Sequence, residues 1–354
     1  MRPEGKIGWG VLGACGIAKR RTIPEGIMAA SNARLVTLMD ADQAGAQDAA
    51  TKFGAKCCAT ERELLRTAGV QAVYVATPNY LHKRHVIAAA RAGRHVLCEK
   101  PLALKSRDIL KMIAACKKAR VLLGVGFMMR FNVYHRKIQE MIRSGALGTP
   151  VMARGQMTCW YPPIPGAWRQ APELGGGGPL MDMGSHVVDL MEMFFGRTKK
   201  ITARTFNRVH RYPVEDTCVA LIEFENGAAG VVDVSFAIPD EASEFVLEVY
   251  GSQGSVKGRY SLGQGPGGDL RQCILGAGKG YDAQQQAQDH AAYQPMALEP
   301  KNTYRGEIEE FSQAILEGRP APVPAEDGLW NCIVMEAAYR SARTGKIVEP
   351  RMKS

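Results

Sequence analysis

The sequence predicts an α/β protein in which a doubly wound parallel sheet is followed by a second domain. Short apolar runs alternate with helix-length segments between residues 6 and 127, as in successive βαβ units. The pattern changes after Phe127, and 354 residues exceed what one hydrophobic core usually supports. We therefore predict two domains, residues 1–127 and 128–354.

Composition excludes several classes of protein. With 46% hydrophobic and 23% charged residues, the chain is typical of a soluble globular protein. No apolar run approaches the roughly 18 residues of a membrane-spanning helix, and the N-terminus lacks a signal-like segment. Nine scattered cysteines without C-x-x-C pairs predict a reducing, cytoplasmic location. The formal charge of +10 is spread without a basic arm, which predicts an anionic cofactor and no nucleic-acid partner.

Five short apolar runs are the predicted strands of the parallel sheet. They are IGWGVLG (7–13), ARLVTLMD (33–40), QAVYVAT (71–77), HVLCEK (95–100) and VLLGVGF (121–127). Helices are predicted between them, for example over Leu81–Ala92 and Ser106–Ala119, with Ser106 as the N-cap of the second.

The first strand runs into a glycine turn that is typical of a dinucleotide site. The turn consists of Gly13, Ala14, Cys15, Gly16, Ile17 and Ala18, a G-x-G-x-x-A pattern in which Cys15 replaces the second glycine. Asp40 ends the second strand 22 residues after Ala18, where a carboxylate bonds the ribose 2′-hydroxyl of the adenosine half. The alternative is a solvated turn aspartate. The carboxylate would repel a 2′-phosphate and favours NAD, whereas Arg20 and Arg21 keep NADP as an alternative.

A polar turn follows the strand that ends at residue 77. It contains Thr77, Pro78 and Asn79, and His82 lies one turn further on. At the carboxyl end of a strand, the backbone N–H groups and the Asn79 amide are candidates to line the cofactor. His82 is either a further cofactor contact or an exposed or capping histidine.

Glu99, Lys100 and Pro101 stand at the carboxyl end of the strand 95–100, where open α/β sheets bind ligands. Pro101 disfavours helix at Lys100, and this X-Pro bond is a candidate for the cis form. Glu99 and Lys100 are therefore candidate cofactor contacts, with Lys100 held at the site. The alternative is a surface ion pair followed by a proline that starts a helix.

A second group of ionisable residues lies in LMDMGSHVVDLMEMFFG, residues 180–196. This segment is apolar nearly all round, which predicts a buried helix. Asp182, His186 and Asp189 are spaced i, i+4 and i+7, so they share one face. Buried ionisable groups are typically paired or used in catalysis. The alternatives are a narrow solvated stripe and a metal site, but no further Cys or His cluster accompanies them to bind zinc.

In combination, the glycine turn, the TPN turn and above all the EKP motif resemble the Gfo/Idh/MocA family of oxidoreductases, over nearly the whole chain. The resemblance implies a Rossmann domain, a C-terminal α/β domain with an open, mostly antiparallel sheet, and redox chemistry at a sugar or polyol carbon. It implies that Lys100 contacts the reacting hydroxyl and that Asp182 and His186 form the catalytic pair. It also implies that Trp168 and Arg169 lie near the nicotinamide half of the cofactor.

The free energy needed to shift a pKa to about 7 favours histidine over lysine as the group that transfers the proton. A lysine ordinarily titrates near 10.4, and lowering this to about 7 takes roughly 5 kcal/mol, whereas histidine starts near 6.5. We predict His186 as general acid/base, Asp182 as its orienting carboxylate and Lys100 as a hydrogen-bond donor to the substrate oxygen. Because Lys100 and Asp182 oppose each other, the pKa of His186 is expected within about one unit of 6.5. Asp189 is expected to orient the helix or the imidazole.

Two further residues are candidate substrate contacts. Arg130 precedes a predicted helix, Val133–Ser144, that crosses between the domains; it either faces the active-site cleft or is a plain linker arginine. Tyr161 lies in a proline-rich aromatic loop beyond that helix.

The remaining chain predicts a sheet and its cover. The runs ITARTFN, TCVALIEF, AAGVVDVSF and FVLEVYG are predicted strands, the middle two joined by an Asn226-Gly227 hairpin turn. Residues 258–300 are expected to add strands with long loops, and helices Thr303–Glu317 and Glu326–Thr344 to close this domain. One uncovered face of the open sheet predicts a homodimer or homotetramer.

Two other functions stay open on the same fold. One is a glycosidase that oxidises its sugar transiently with NAD. The other is a non-enzymatic NAD-binding scaffold. The joint presence of Lys100, Asp182 and His186 argues against the scaffold.

Overall fold

The N-terminal sheet is parallel and doubly wound, as predicted. A computed structural model describes residues 5–275 and 293–352, and the six strands of this sheet have the order β3-β2-β1-β4-β5-β6. The strands are β1 (Ile7–Leu12), β2 (Ala33–Met39), β3 (Lys56–Cys57), β4 (Ala72–Val75), β5 (His95–Glu99) and β6 (Leu123–Gly126). The strand order reverses between β1 and β4, which opens a crevice at their carboxyl ends.

Helices cover this sheet. They are a π-helical segment (Ala18–Ile27), α1 (Gln43–Phe53), α2 (Glu61–Arg66), a 3₁₀ turn (Asn79–Leu81), α3 (His82–Arg91) and α4 (Ser106–Ala119). The five predicted strands are confirmed, each ending one or two residues early, whereas the two-residue β3 is too short to show a pattern. The predicted N-cap is wrong, because α4 begins at Ser106 and the Ser106 hydroxyl donates instead to Glu336 at 3.0 Å.

The second sheet has eight strands in the order β14-β13-β12-β11-β7-β10-β9-β8. They are β7 (Pro150–Thr158), β8 (Thr198–Phe206), β9 (Thr217–Phe224), β10 (Ala229–Ser235), β11 (Leu247–Gly251), β12 (Gly254–Arg259), β13 (Asp269–Ile274) and β14 (Gln294–Pro295). Within this second sheet, β7 and β10 form the only parallel pair among the described strands. The sheet is therefore mostly antiparallel, as expected. Part of the region predicted as strands and long loops, residues 276–292, lies outside the described residues.

β7, a central strand of this sheet, was not predicted from the sequence. Its buried positions include Ala153 and Gly155, which carry little apolar signal. Small residues are needed there because a helix packs directly on the strand: a Cβ at Gly155 would lie 2.3 Å from Val187 Cγ1. Close packing thus removed the alternation by which a strand is recognised.

Helical segments connect and cover the two sheets. They are a 3₁₀ turn (Met128–Phe131), α5 (Val133–Arg143), a 3₁₀ turn (Trp168–Gln170), α6 (Pro172–Gly175), a π-helical segment (Leu180–Gly184), α7 (Ser185–Phe195), a 3₁₀ turn (Asp240–Ala242), α8 (Thr303–Glu317) and α9 (Ala325–Thr344). The single helix predicted over 180–196 is therefore a π-helical turn continued by α7. Within residues 5–275 and 293–352, none of the helices has the length and apolarity needed to cross a membrane.

The two C-terminal helices were predicted to close the second domain, but they also pack against the first sheet. Ile308 and Phe311 of α8 belong to the same core as Trp9 of the parallel sheet. In α9, Leu329 packs in the first sheet's other core, whereas Met335 packs in the core of the second sheet. The chain end therefore binds the two sheets together, and the N-terminal domain is completed by residues from the far end of the sequence.

Candidate functional site

The glycine turn lies in the crevice between β1 and β4. Gly13 has φ +88°, and a Cβ there would lie 2.6 Å from the backbone atoms of Ala76 and Thr77. Only glycine fits this close approach of two strand ends. At Gly16, in contrast, a Cβ would meet no described atom within 4 Å, so this side of the turn is open.

Asp40 is fixed against the same turn at the end of β2. Its Oδ2 accepts a hydrogen bond from the Cys15 N–H at 2.8 Å, and its Oδ1 accepts one from the Asp42 N–H at 3.1 Å. Burial and the nearby Asp40 raise the pKa of the Cys15 thiol to about 11, so the thiol is neutral at ordinary pH. Of the two arginines considered for a 2′-phosphate, Arg21 is paired with Glu25 at 2.7 Å.

These features fit a dinucleotide. The open approach at Gly16 leaves room for a pyrophosphate beside backbone N–H groups, and Asp40 offers acceptor oxygens for a ribose. The hydroxyl of Thr77 is buried and has no partner among the described residues. A buried hydroxyl without a hydrogen bond is costly, which indicates that a bound group supplies one.

His82 is a buried side chain and not an exposed one. It is fully buried, with Nε2 2.8 Å from the carbonyl oxygen of Thr77 and Nδ1 2.9 Å from that of Pro101. Burial lowers the pKa of His82 to about 4. The exposed alternative is thus wrong, and the imidazole links the TPN turn to the EKP segment.

The TPN turn also reaches towards the second domain. Asn79 is buried, and its side-chain amide donates to the carbonyl oxygen of Gly175 at 3.0 Å. Gly175 begins the glycine run that precedes the catalytic candidates. A residue expected to line the cofactor therefore also ties the two halves of the site together.

Hydrogen bonds to the Glu99 side chain fix the backbone of the EKP segment. Glu99 accepts a hydrogen bond from the Tyr74 hydroxyl and, at 3.2 Å, from the Lys100 N–H. The Lys100–Pro101 peptide bond is cis. Tyr74 was missed in the sequence analysis, although a phenol within an otherwise apolar buried strand indicates a hidden hydrogen-bond partner. The hydrogen bonds of Glu99 thus fix the directions in which the Glu99 and Lys100 side chains leave the end of the strand.

Lys100 and Asp182 form an ion pair between the two domains. Lys100 Nζ lies 2.7 Å from Asp182 Oδ1 and 2.6 Å from the Asp182 carbonyl oxygen, and the lysine side chain is only 13% exposed. The Arg169 Nε atom is 3.8 Å from the same Oδ1 atom. Burial pushes the pKa of Asp182 up, but Lys100 and Arg169 outweigh it and hold this pKa well below its usual range. Asp182 is therefore a carboxylate between two cations.

His186 is buried one turn after Asp182, and its ring meets Phe127 edge-on at 5.9 Å between ring centroids. Its Nδ1 atom is buried and has no hydrogen-bond partner among the described residues. Burial, together with Lys100, lowers the pKa of His186 well below 6.5, although Asp182 opposes this. The expectation of a pKa near 6.5 is wrong because it ignored desolvation. Asp182 bonds to Lys100 rather than orienting the imidazole.

Asp189, expected to orient the helix or the imidazole, pairs with Arg130 and not with the imidazole. The guanidinium contacts both oxygens of Asp189, at 2.6 and 2.8 Å, and Asp327 at 2.7 Å. Arg130 thus ties α7 and α9 to the segment that crosses between the domains. Its role as a substrate contact remains a prediction.

Aromatic residues flank Asp182 on the side of the second domain. The Arg169 guanidinium carbon stacks 4.2 Å from the ring centre of Trp168. Burial raises the pKa of Tyr161, and the adjacent Arg169 opposes this. The Tyr212 hydroxyl donates to the Tyr161 carbonyl oxygen at 3.1 Å. A residue outside the predicted site therefore helps to position Tyr161. The described residues contain no group of His, Cys, Asp and Glu that could hold a metal ion.

Comparison with known proteins agrees with this geometry. Residues 7–127 match the model of the oxidoreductase family with an NAD-binding Rossmann fold, and residues 135–257 match the GFO/IDH/MocA C-terminal domain. The chain is 30% identical to the 1,5-anhydro-D-fructose reductase of Ensifer adhaerens, over 96% of this chain and 98% of that protein. It is 27% identical to the myo-inositol 2-dehydrogenase of Thermotoga maritima, over 96% and 98% of the two chains. Among solved structures, an aldose-aldose oxidoreductase from Caulobacter crescentus complexed with glycerol is 28% identical, with a TM-score of 0.85 over 97% and 99% of the two chains.

Two glycine variants separate the structural and the binding roles of the turn. We expect Gly13→Ala to lower the free energy of unfolding by at least about 2 kcal/mol, because of its positive φ and its contact with Ala76. Gly16→Ala should leave this free energy within about 0.5 kcal/mol but weaken NAD binding at least about tenfold, by obstructing the pyrophosphate. Denaturant unfolding and NAD titration measure the two effects. Equal stability of the variants, or unchanged NAD affinity in Gly16→Ala, would contradict this account of the turn.

Proposed function

The chain belongs to the Gfo/Idh/MocA family of NAD-binding oxidoreductases, and on that premise we propose a dehydrogenase that acts on a carbohydrate or polyol. The reaction interconverts a secondary alcohol and a ketone in a sugar, an inositol or a related polyol. The observation that carries this proposal is the Lys100–Asp182 ion pair beside the buried imidazole of His186. The similarity to a 1,5-anhydro-D-fructose reductase and a myo-inositol 2-dehydrogenase supports the substrate class.

The cofactor would be held by the glycine turn, Asp40 and the TPN turn, and its nicotinamide would accept or supply the hydride. An ammonium group has three N–H donors, and Lys100 uses two of them on Asp182. The third is available to the substrate oxygen, where it stabilises the negative charge that develops on oxidation. The two bonds to Asp182 hold the ammonium group in place, so that Lys100 can act as a hydrogen-bond donor to the substrate.

His186 is the general acid/base in this mechanism. Its depressed pKa keeps the imidazole neutral at ordinary pH, and a neutral imidazole has a free nitrogen lone pair for the hydroxyl proton. The resulting imidazolium would be stabilised by the carboxylate of Asp182 nearby. In the opposite direction the same group returns the proton to the carbonyl oxygen. Arg169, Trp168 and Tyr161 would form the wall against which the substrate is placed.

Neither of the two other functions gains support. A scaffold would not need a buried histidine with an unpartnered ring nitrogen beside an ion pair between domains. A glycosidase of this type releases no free NADH, which makes cofactor turnover the discriminating observation.

Replacing the lysine tests this proposal. Lys100→Met should retain the fold and NAD binding but lower kcat by roughly several hundredfold, because the donor to the reacting oxygen is lost. NADH absorbance with a panel of sugars, inositols and sugar lactones measures the rate. Lys105→Met, an exposed lysine at the start of α4, is the matched control and should keep full activity. Near-normal kcat in Lys100→Met, or no NADH with any member of the panel, would refute the proposal.

We further propose that NAD is preferred to NADP. Asp40 would bond the ribose 2′-hydroxyl and repel a 2′-phosphate, and Arg21 is already paired with Glu25. NAD should therefore bind at least about tenfold more tightly than NADP, and Asp40→Asn should reduce this ratio. Asp42→Asn, two residues on, keeps an N-cap for α1 and should leave the ratio unchanged. Equal affinities in the wild-type protein would mean that a cation reaches the phosphate.

We also propose a homo-oligomer formed through the second sheet. Val219 and Leu221 of β9 are 42% and 56% exposed on the face opposite the core. Leu221→Asp should weaken association at least about tenfold, since each symmetric contact would bury a carboxylate. Light scattering after size exclusion measures the mass, and Leu110→Asp on α4, also exposed and apolar, is the control. A monomeric wild type, or an unaffected Leu221→Asp oligomer, would refute this interface.

A further inference from the structure

The helical segment that carries Asp182 and His186 begins without a capping side chain of its own. The N–H groups of a helix's first turn have no partners within the helix. The first helical hydrogen bond runs from the Asp182 N–H to the Gly178 carbonyl oxygen at 3.0 Å. Gly178 has no side chain, and Pro179 has no N–H. The N–H groups of Gly178, Leu180 and Met181 must therefore find acceptors elsewhere.

A glutamate that is distant in the sequence supplies acceptors for two of these N–H groups. Glu215, just before β9, is 7% exposed and accepts the Gly178 N–H at 3.0 Å and the Leu180 N–H at 3.2 Å, one on each carboxylate oxygen. Tyr339 of α9 donates its hydroxyl to Glu215 at 2.8 Å, which holds the carboxylate against the turn. Two of the three free N–H groups of this turn thus bond to one carboxylate, and a carboxylate at a helix N-terminus is also favoured by the helix dipole.

Two of the four glycines in the run, Gly177 and Gly178, are explained by this contact. A Cβ at Gly178 would lie 1.9 Å from the Glu215 carbonyl oxygen, and a Cβ at Gly177 would lie 1.8 Å from the Tyr339 hydroxyl oxygen. A side chain at either position would push the glutamate and the tyrosine away from the helix.

Glu215 is itself held rigidly. The next residue, Asp216, accepts the N–H groups of residues 208, 209 and 210 on one oxygen, at 2.7–3.0 Å. Its backbone bonds to Phe206 and Phe236 on neighbouring strands. The Glu215 carboxylate therefore has a fixed place from which to set the position of the helix.

We propose that Glu215 and Tyr339 are positioning residues for catalysis. They fix the turn on which Asp182 meets Lys100 at 2.7 Å, and through it the place of His186, without contacting the substrate. Because the first turn carries Asp182, loss of the cap lets this turn shift and loosens the ion pair. The inference rests on the proposed dehydrogenase function only for its effect on rate, since the effect on the helix is independent of activity.

Glu215→Gln tests the inference, because it replaces one of the two acceptor oxygens with an NH2 group, which cannot accept a hydrogen bond from an N–H group. We expect kcat to fall about 10- to 100-fold with NAD affinity within about twofold, since the NAD-binding turn is untouched. Tyr339→Phe should lower kcat about five- to tenfold and serves as the second variant if Glu215→Gln folds poorly. Glu173→Gln, exposed on α6 just before the same glycines, is the control and should change neither quantity. Rates are measured at a temperature at which each variant is fully folded.

A double-mutant cycle separates positioning from general stability. In the Asp182→Asn background, Glu215→Gln should lower kcat by a smaller factor than in the wild-type background, because the ion pair that it supports is already lost. Amide hydrogen exchange at Gly178 and Leu180, the two residues whose N–H groups bond to Glu215, should accelerate at least about tenfold in Glu215→Gln. Unchanged kcat, full additivity with Asp182→Asn, or unchanged exchange would overturn the inference. If the wild-type protein transferred no hydride, the proposed function would fail, and the exchange rates alone would decide this inference.

Discussion

The ion pair between Lys100 and Asp182 is the contact on which the rest of the site depends. It joins the end of a strand in the parallel sheet to the helical turn that covers the second sheet, so each domain supplies one charge. A pair that is largely withdrawn from water is stable only if its geometry is good and its remaining hydrogen bonds are made. The surrounding structure meets this need, since Glu99 holds the Lys100 backbone and Glu215 holds the turn of Asp182. The two domains therefore meet at this cleft through an ion pair as well as through apolar packing.

Desolvation then assigns the protonation states. Burial alone would raise the pKa of Asp182, but two cations outweigh this effect, and the carboxylate stays charged. His186 has no such direct partner, so burial and Lys100 together keep it neutral. One cation therefore has opposite consequences for its two neighbours, and this separates a permanent charge from a proton acceptor within one helical turn. The separation is the chemical basis for proposing that the imidazole exchanges the proton while the ammonium remains a donor.

The sequence predicted the features that depend on local rules. The glycine turn followed by Asp40, the proline after Lys100 and the polar residues in an apolar helix each follow from local spacing, and the structure brings these segments to the crevice and the cleft. What was missed depends on distant contacts. β7 lost its apolar alternation because α7 packs on Gly155, and the return of α8 and α9 to the first sheet leaves no periodic signal. The partners of Asp189 and Glu215 come from other elements, which helical spacing cannot identify.

The most direct test of this account is the titration of the His186 imidazole by NMR, assigned by comparison with His186→Asn. We expect the midpoint of the His186 titration to lie well below its usual value of 6.5, because burial and Lys100 lower the pKa. In Lys100→Met the pKa should rise, since a nearby like charge is removed. A wild-type midpoint at or above about 6.5, or one that Lys100→Met leaves unchanged, would contradict the assignment of a neutral base beside a cationic donor.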